Sequence, residues 1–518
     1  MEHKVEIDAI CIAPGDNTAT LLHEAAAGSP IVVGMPEGAE PMTLTVVDDI
    51  AFGHKLALYP IAAGEDVRKY GEVIGRATKA IALGAHVHVD NVESLRGRGD
   101  EKEPEPASAC SMETKPAAEN KACVLKPCAF DASQATFMGY PREDGSAGTR
   151  NLVGIISCVA CANDVAVRLT DIEGAAVFTH QQGCSQTMPD VKAIAKVLVN
   201  LALNPNLGAV LFVSLGCESV PTAEVLAAVK AAGKPAEMIV IQEEGGLTAS
   251  VAKARTIVEK MKKAIACERV PVPVSRLRVG LKCGSSDTTQ GLSANVVVGA
   301  LTDVLAAAHA GVVIGETTEF MGAEHIAARN ARNSEVGKRI YALVSRMEAR
   351  ARAVGVDMRG GQPTRGNIAG GLTTIEEKSL GALAKAGSAV YQDVIDYGQK
   401  TTLPGLVMMD APGREPEMLT GLAAAGCNII VFSTGRGAPQ GFPFVPVVKV
   451  TGNARTFERM NEHMDLSVAG LLQGIETREG AAARLFDAVL RTASGEPTKA
   501  ERSGYNNSMN IYVTGPVI

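Results

Sequence analysis

The chain has 518 residues, a length that predicts two to four domains at about 100–200 residues per domain. Its 50 basic and 57 acidic side chains give a net charge of -7, and no run of Lys and Arg interleaves with aromatic residues, which argues against nucleic acid as a partner. No N-terminal signal peptide or apolar run of about 18 residues is recognisable. We therefore expect a cytoplasmic protein with no membrane partner. The eleven cysteines favour free thiols or metal ligands over disulfides.

Short alternating segments separated by glycine-rich turns occupy the first part of the chain. Strands of this length and spacing predict a small all-β domain over residues 1–96. Residues 97–136 are rich in Glu, Lys, Pro and Ala and cannot bury enough apolar surface to offset chain entropy, so we interpret them as a flexible linker. Cys110, Cys123 and Cys128 lie in this segment without a histidine beside them, which favours exposed thiols over a metal site.

From residue 151 the pattern changes to apolar strands that are followed by helical stretches, which predicts parallel sheets with crossover helices. The first series of strands is predicted at 152–157, 175–179, 209–215 and 237–241, and the second at 278–282, 312–314, 405–409, 428–432 and 445–450. Helices are predicted at 190–203, 222–232, 323–354 and 481–492. We therefore expect an α/β fold with two parallel-sheet subdomains, over residues 137–275 and 276–518.

Polar side chains crowd the positions directly after these strands. In open parallel sheets, ligands bind beyond the carboxyl ends of the strands. The residues found there are Cys158, Cys161, Asn163, His180, Cys184, Cys217, Glu218, Cys283, Asp287, Glu316, Glu319, Thr434 and Arg436. Any one of them could be a helix cap or a buried thiol. Together they exceed what strand ends require, and they predict a ligand site.

Several cysteines raise the question of a metal centre. Cys158 and Cys161 form a CxxC, which without a partner pair at metal-ligand spacing more often reflects packing than redox or zinc chemistry. Cys161, Cys184, Cys217 and Cys283 could converge on an iron–sulfur cluster, although their spacings match no cluster signature. The chain has no GxGxxG or P-loop frame, so no nucleotide-binding motif is predicted.

Three histidines stand out in the predicted all-β domain. His86 and His88 are two residues apart on a predicted strand, so both imidazoles face the same side, and His54 belongs to the same domain. Imidazoles presented together suit a borderline metal or a substrate. A surface pair without function is an equal alternative at this point.

A family resemblance covers nearly the whole chain. The N-terminal part, with Gly53-His54-Lys55 and His86-Val87-His88, resembles a SAF domain, a small β-clip module. The remainder resembles the altronate/galactarate dehydratase family through strings that occur in one order. These are residues 144–151 (DGSAGTRN), 183–185 (GCS), 216–218 (GCE), 283–287 (CGSSD), 293–295 (SAN), 366–371 (GNIAGG), 378–381 (KSLG) and 433–437 (STGRG).

The resemblance implies a hydro-lyase that removes water from a sugar acid to give a 2-keto-3-deoxy acid, assisted by a divalent metal, typically Fe2+ with Mn2+ as an alternative. One position departs from the family: altronate and galactarate enzymes usually carry Lys where this chain has Ile368, which cannot pair with a substrate carboxylate. Sulfolactate sulfo-lyase is a two-chain relative built from the same two parts, so its reaction, C–S bond cleavage to pyruvate and sulfite, is the competing alternative. A non-catalytic sugar-acid binding protein is a third alternative.

Candidate roles follow from the chemistry that the resemblance implies. Removing the proton next to a carboxylate needs a base within about 3 Å, an acid for the leaving hydroxyl and a metal that stabilises the enediolate. The candidates for proton transfer are His54, His180 and Glu319; those for the metal are His86, His88, Cys184 and Glu218; those for the substrate are Asp287, Asn295, Asn367, Thr434 and Arg436. Arg436 suits a bidentate grip on the carboxylate. The implied partner is a small sugar acid or a sulfonated hydroxy acid, and a homo-oligomer is left open.

Overall fold

The structure is a computed structural model that describes residues 6–96, 130–507 and 509–518. Most of the predicted linker, with Cys110, Cys123 and Cys128, lies outside the described residues. The N-terminal domain is built from short strands joined by tight turns, as the alternating pattern predicts. They are β1 (Ala9–Ile10), β2 (Thr18–Leu21), β3 (Pro30–Gly34), β4 (Met42–Thr45), β5 (Lys55–Ala57), β6 (Asp66–Lys69), β7 (Glu72–Ala77), β8 (His86–Val87) and β9 (Val92–Glu93).

These strands form two sheets, one of order β4-β3-β1-β2-β5-β8 and one of order β6-β7-β9. Their inward side chains, such as Leu56, Val33 and Ile74, are fully buried. Strand β8 pairs antiparallel with β5, so that His86 lies opposite Leu56. This pairing brings two segments about thirty residues apart in sequence side by side, and it positions the histidines described below.

The second domain combines a small antiparallel sheet with a parallel one. Strands β10 (Thr136–Pro141), β11 (Ala147–Gly148) and β16 (Val270–Pro273) form the antiparallel sheet, and β12 (Leu152–Ser157), β13 (Ala175–Phe178), β14 (Leu207–Ser214) and β15 (Ala236–Val240) form the parallel sheet. The helices are α1 (Asn163–Val167), α2 (Met188–Ala202), α3 (Thr222–Ala231), α4 (Ile241–Glu244) and α5 (Leu247–Ile265). The parallel order is β13-β12-β14-β15, which puts β12 in the centre, and its side chains Val153, Ile155 and Ile156 are fully buried.

The C-terminal domain holds a seven-stranded parallel sheet of order β19-β20-β18-β17-β21-β22-β23. Its strands are β17 (Arg278–Gly284), β18 (Gly311–Ile314), β19 (Tyr391–Ile395), β20 (Gly405–Met409), β21 (Ile429–Thr434), β22 (Val447–Thr451) and β23 (Leu466–Ser467). Its helices are α6 (Asn295–Ala307), α7 (Glu324–Arg329), α8 (Ser334–Ala353), α9 (Arg365–Ala369), α10 (Ile375–Leu383), α11 (Glu415–Ala424), α12 (Ala454–Arg459), α13 (Arg478–Ala493) and α14 (Lys499–Ser503). The predicted fold class, a small all-β domain followed by two parallel-sheet α/β regions, is confirmed.

Two details of the C-terminal domain differ from the sequence prediction. The single long helix predicted over 323–354 is two helices, because Asn333 accepts a hydrogen bond from the backbone N–H of Val336 and starts a new helix. Strands β19 and β23 were not predicted at all.

Helix α6 is preceded by a π-helical turn at Gln290–Ala294. Gln290–Ala307 is long and apolar enough to cross a membrane, but 78% of this window is buried inside the protein. That burial is typical of a core helix.

Candidate active site

Three histidines of the N-terminal domain converge at its boundary with the C-terminal domain. His54 directly precedes β5 and His86 begins β8, so the pairing of these two strands brings their rings together. His54 Nδ1 lies 3.0 Å from His86 Nε2, and the His86 and His88 rings stack with centroids 5.0 Å apart. One nitrogen of each ring lies within 4.8 Å of the others. We call His54, His86 and His88 the imidazole cluster.

The imidazole cluster is electrically neutral near pH 7. Burial lowers the pKa of His54, and burial followed by the nearby His54 ring lowers that of His86 to about 4. Burial and then the Lys55 ammonium lower the pKa of His88 to about 3. Neutral imidazoles keep a lone pair free for a metal ion. Nδ1 of His88 is buried without a hydrogen-bond partner, which is unusual unless a ligand completes the site.

The chemistry of the imidazole cluster fits a borderline divalent metal, because three neutral imidazoles are ligands that such ions accept at catalytic sites with open positions. The side chains of Asn91 and Asp48 fix the backbone of His86 and His88. Asn91 accepts a hydrogen bond from the backbone N–H of His88 and donates one to the carbonyl of His86, at 2.9 and 2.8 Å. Asp48 accepts from the backbone N–H of His86 at 2.8 Å. His54, which was predicted for proton transfer, lies in one cluster with the predicted metal ligands His86 and His88.

Residues of the C-terminal domain close the other side of the imidazole cluster. His54 Nε2 lies 3.4 Å from the carbonyl oxygen of Ala369, and the backbone N–H of Thr288 donates to the carbonyl of Gly370 at 3.0 Å. A Cβ atom at Gly370 would approach the Cβ of Asp287 to 2.6 Å, so only a glycine lets these two segments meet. The loops after β17 and around α9 therefore face the histidines.

Asp287 is buried at this boundary. Its Oδ1 accepts from the Thr289 hydroxyl at 2.6 Å, and its Oδ2 accepts from the Asn453 carboxamide at 2.9 Å. Burial raises the pKa of Asp287, although these hydrogen bonds and the positive charge of Arg436 act in the opposite direction. A carboxyl group whose pKa is raised toward neutrality is suited to proton transfer as well as to hydroxyl binding.

Arg436 lies next to Asp287 and is exposed. Its backbone N–H donates to the Ser285 carbonyl at 2.9 Å, and its Nη1 donates to the Gly366 carbonyl at 2.7 Å. One contact to the main chain leaves most of the five guanidinium N–H donors for a ligand. The loop after β21 thus presents a cation beside the predicted substrate site.

The other predicted substrate-binding residues already serve the protein framework. Asn367 closes the N-terminus of α9 through a capping box and donates to the Ser286 carbonyl at 2.9 Å. Asn295 donates to the Gly381 carbonyl and accepts from the Ser433 hydroxyl. Thr434 accepts from the backbone N–H of Gly437 at 3.0 Å. Their geometry supports positioning of the loops around Asp287 rather than the predicted contact with substrate hydroxyls.

His180 does not support the proton-transfer role that its position after β13 predicts. Its side chain is fully buried; Nε2 lies 2.9 Å from the Ser157 carbonyl, and Nδ1 accepts from the backbone N–H of Gln182 at 3.1 Å. Burial lowers its pKa to about 4. With both ring nitrogens paired to the main chain, His180 ties the loop after β13 to the end of β12.

Glu319 belongs to a second buried group of charged residues, away from the imidazole cluster. Its Oε2 accepts from the Cys283 thiol at 2.6 Å, and Lys378 and Lys385 lie 3.3 and 3.4 Å from its oxygens. Burial alone would raise the pKa of Glu319, but Lys378, Lys385 and Lys282 outweigh burial and lower it to about 2. A carboxylate held ionised by lysines is a poor proton donor near neutral pH. The ionised carboxylate could still accept a proton, so the predicted role of Glu319 in proton transfer stays a prediction.

The predicted metal ligands do not form one group. Cys184 and Glu218 lie at the carboxyl end of the second domain's parallel sheet, and Glu218 is hydrogen-bonded to the Ser214 hydroxyl and the Gly216 N–H. Among the described residues, only two groups bring three or more ligand atoms of His, Cys, Asp or Glu within 4.8 Å. These are the imidazole cluster and Cys283 with Glu316 and Glu319.

Comparison with known proteins decides the family. Three domain models of the D-galactarate/altronate dehydratases match the chain: the SAF domain over residues 7–95, the second domain over 139–266 and the C-terminal domain over 274–516. The chain belongs to the altronate/galactarate dehydratase family. It is therefore a lyase.

The relatives span nearly the whole chain. Altronate dehydratase of Bacillus subtilis (strain 168) is 34% identical over 500 residues, 92% of this chain and 93% of its own length. Galactarate dehydratase (L-threo-forming) of Escherichia coli (strain K12) is 32% identical over 500 residues, 92% of each chain. The (2R)-sulfolactate sulfo-lyase of Chromohalobacter salexigens is similar in two pieces. Its beta subunit is 37% identical over 373 residues, 71% of this chain and 95% of the subunit, and its alpha subunit 49% identical over 51 residues, 10% of this chain and 54% of the subunit.

Proposed function

We propose that this protein is a metal-dependent hydro-lyase that dehydrates a sugar acid of the altronate or galactarate type to a 2-keto-3-deoxy acid. The observation that carries the proposal is the imidazole cluster, which the SAF domain presents against Ala369 and Gly370, the segment that packs on Asp287. The family assignment supports the dehydration of a sugar acid. The metal and the keto-deoxy product are our inference.

The N-terminal domain would supply the metal ligands, and the C-terminal domain would supply the groups that bind the substrate and transfer the proton. His54, His86 and His88 would hold the metal, which when bound supplies a Lewis acid for the substrate oxygens. Arg436 grips the substrate carboxylate through parallel N–H donors. Asp287, buried and with a raised pKa, transfers a proton at the carbon next to the carboxylate or at the leaving hydroxyl. The close approach of Gly53 to Gly370 and Thr288 supports the assignment of these groups to one site.

Metal removal tests this function. We expect that treating the protein with a chelator abolishes the formation of 2-keto acid from altronate or galactarate, and that Fe(II) or Mn(II) restores it. The product is measured by a colorimetric 2-keto acid assay on a panel of aldonates and aldarates. Full turnover by metal-free protein would contradict the role of the imidazole cluster, and no turnover on the whole panel would contradict the substrate class.

A second candidate function is the cleavage of sulfolactate to pyruvate and sulfite. The observation that favours it is the 37% identity to the sulfo-lyase beta subunit, and the resemblance to the dehydratases implies a lysine where this chain has Ile368. Ile368 is half-buried on α9 and adjoins Ala369, whose carbonyl contacts His54. Adding sulfolactate to the panel and measuring sulfite separates the two reactions.

The carboxylate contact is tested by Arg436→Lys. Lysine keeps the charge but loses the planar fork, so we expect kcat/KM on the best substrate to fall at least about tenfold, or roughly 1.4 kcal/mol of transition-state binding. The thermal melt should be unchanged because Arg436 is exposed. The matched control is Arg502→Lys on the exposed surface, which should change neither quantity. Unchanged kinetics for Arg436→Lys would remove this residue from the site, and a collapsed melt would make it structural.

A further inference from the structure

Three free cysteines lie at the carboxyl end of the second domain's parallel sheet, away from the imidazole cluster. Cys161 follows β12, Cys184 follows β13 and Cys217 follows β14. These three strands are neighbours, in the order β13-β12-β14. All three thiols are exposed and none forms a disulfide. We call Cys161, Cys184 and Cys217 the thiol triad.

Hydrogen bonds hold the three loops of the thiol triad against one another. The backbone N–H of Ala160, next to Cys161, donates to the Gln182 carbonyl at 3.0 Å. Both neighbours of Cys184 bond to Ser219, in the loop of Cys217. The Gly183 carbonyl accepts from the Ser219 N–H at 2.9 Å, and the Ser185 N–H donates to the Ser219 hydroxyl at 3.3 Å. Each cysteine is therefore within two residues of a bond to a neighbouring loop.

The backbone around Cys184 is constrained on both sides. Gly183 has φ 111°, and a Cβ atom there would approach the Cys158 carbonyl oxygen to 2.6 Å. Ser185 has φ 54°, a left-handed conformation that is strained for a non-glycine residue and clusters at functional sites. Glu218 fixes the third loop by accepting from the Gly216 N–H at 2.7 Å. The loops are thus shaped to present Cys184 and Cys217 in fixed positions.

The surroundings of the thiol triad argue against two kinds of site, a CxxC redox pair and a single zinc ion. Cys158, the other member of the CxxC, is fully buried, and burial raises the pKa of its thiol well above the usual range, which does not favour a redox pair with the exposed Cys161. A single ion such as zinc binds thiolates at about 2.3 Å and requires them close together. Among the described residues, the thiol triad is absent from the groups of ligand atoms within 4.8 Å.

Thiolates that each bind a different iron of a cubane cluster stand farther apart than thiolates around one ion. We propose that Cys161, Cys184 and Cys217 bind a [4Fe–4S] cluster, one thiolate to each of three irons, and that the fourth iron has no protein ligand and faces solvent. Bacterial cluster motifs place their cysteines close together in one run of sequence. Here the three ligands come from three strand ends, so their sequence spacing carries no signature.

The test is cluster reconstitution on the full chain under anaerobic conditions with Fe(II) and sulfide. For the wild-type protein we expect about four irons and four acid-labile sulfides per chain, with the broad visible absorption of a sulfide-bridged cluster. Cys161→Ala, Cys184→Ala and Cys217→Ala should each lose most of the sulfide and the absorption. Acid-labile sulfide distinguishes the cluster from iron bound by the imidazole cluster.

Two controls make the result decisive. Cys267→Ala removes another exposed free thiol and should leave the sulfide content unchanged, as should the triple change of Cys110, Cys123 and Cys128 to Ala. Thermal melts of the metal-free variants should match the wild type, and Cys→Ser variants serve wherever an Ala variant fails to fold. Equal sulfide in the wild type and in the three single variants would overturn the proposal. So would a wild-type protein that binds one zinc or iron without sulfide, or that forms a disulfide within the thiol triad.

Discussion

Replacing His88 with Ala should lower kcat/KM for dehydration by about a thousandfold, which corresponds to roughly 4 kcal/mol, a magnitude expected when a catalytic metal ion is lost. The ring of His88 carries the buried nitrogen that lacks a hydrogen-bond partner. Its backbone N–H is held separately by Asn91, so truncation of the ring leaves the turn intact. The bound metal should fall in parallel, measured per chain by elemental analysis beside steady-state kinetics.

The matched control for His88→Ala is His23→Ala, which removes an exposed histidine from the same domain. It should keep both its metal and its activity. If His88→Ala kept the wild-type metal content but lost activity, His88 would contact the substrate instead of the metal. If it kept both, the imidazole cluster would have no part in the reaction.

The core strands of the fold could be predicted from the sequence because both faces of a parallel strand are buried, so each strand is a continuous apolar run. Strands 152–157 and 405–409 have the predicted bounds. Strand β19 (Tyr391–Ile395) could not be found in this way, because Gln392 and Asp393 interrupt its apolar run. It is the edge strand of its sheet, where polar side chains can face solvent.

The candidate site was only partly predictable. The period of two along a strand put His86 and His88 on one side, but the addition of His54 depends on the pairing of β5 with β8, a contact between distant parts of the chain. The sequence could not show that His180 is buried with both ring nitrogens paired. Polar residues after strands fall into two classes, those that bind ligands and those that tie loops together, and burial separates them.

The sequence did not predict the buried ion network between the N-terminal and C-terminal domains. Lys55 and Lys69 of the N-terminal domain are fully buried, and both bind Glu377 on α10, at 2.9 Å each. Lysine is almost never fully buried unless it is paired, so a sequence prediction assigns such residues to the surface. Lys55 adjoins His54, and its Nζ also donates to the Gly371 carbonyl at 2.6 Å. This ion network therefore fixes the imidazole cluster against the C-terminal domain.

Replacing Glu377 with Gln should destabilise the protein by about 3–5 kcal/mol, because removing one partner of a buried ion network leaves uncompensated charge in the interior. Glutamine keeps the size of the side chain, so the effect reports charge and not packing. The measurement is urea unfolding at pH 7 followed by circular dichroism. The matched control is Asp90→Asn, which removes the partner of Lys79 in an exposed pair and should cost about 0–1 kcal/mol.

The pH dependence of the Glu377→Gln effect identifies its electrostatic origin. Burial would raise the pKa of Glu377, but Lys55 and Lys69 outweigh burial and lower the pKa well below the ordinary value of 4.5. A carboxyl group with a lowered pKa in the folded state contributes stability that is fully present above its unfolded pKa and is lost as the pH falls toward the folded one. The difference between wild type and variant should therefore be constant from pH 6 to 7 and shrink below about pH 4.5. A difference that stayed the same across the whole range would mean that Glu377 acts through packing alone.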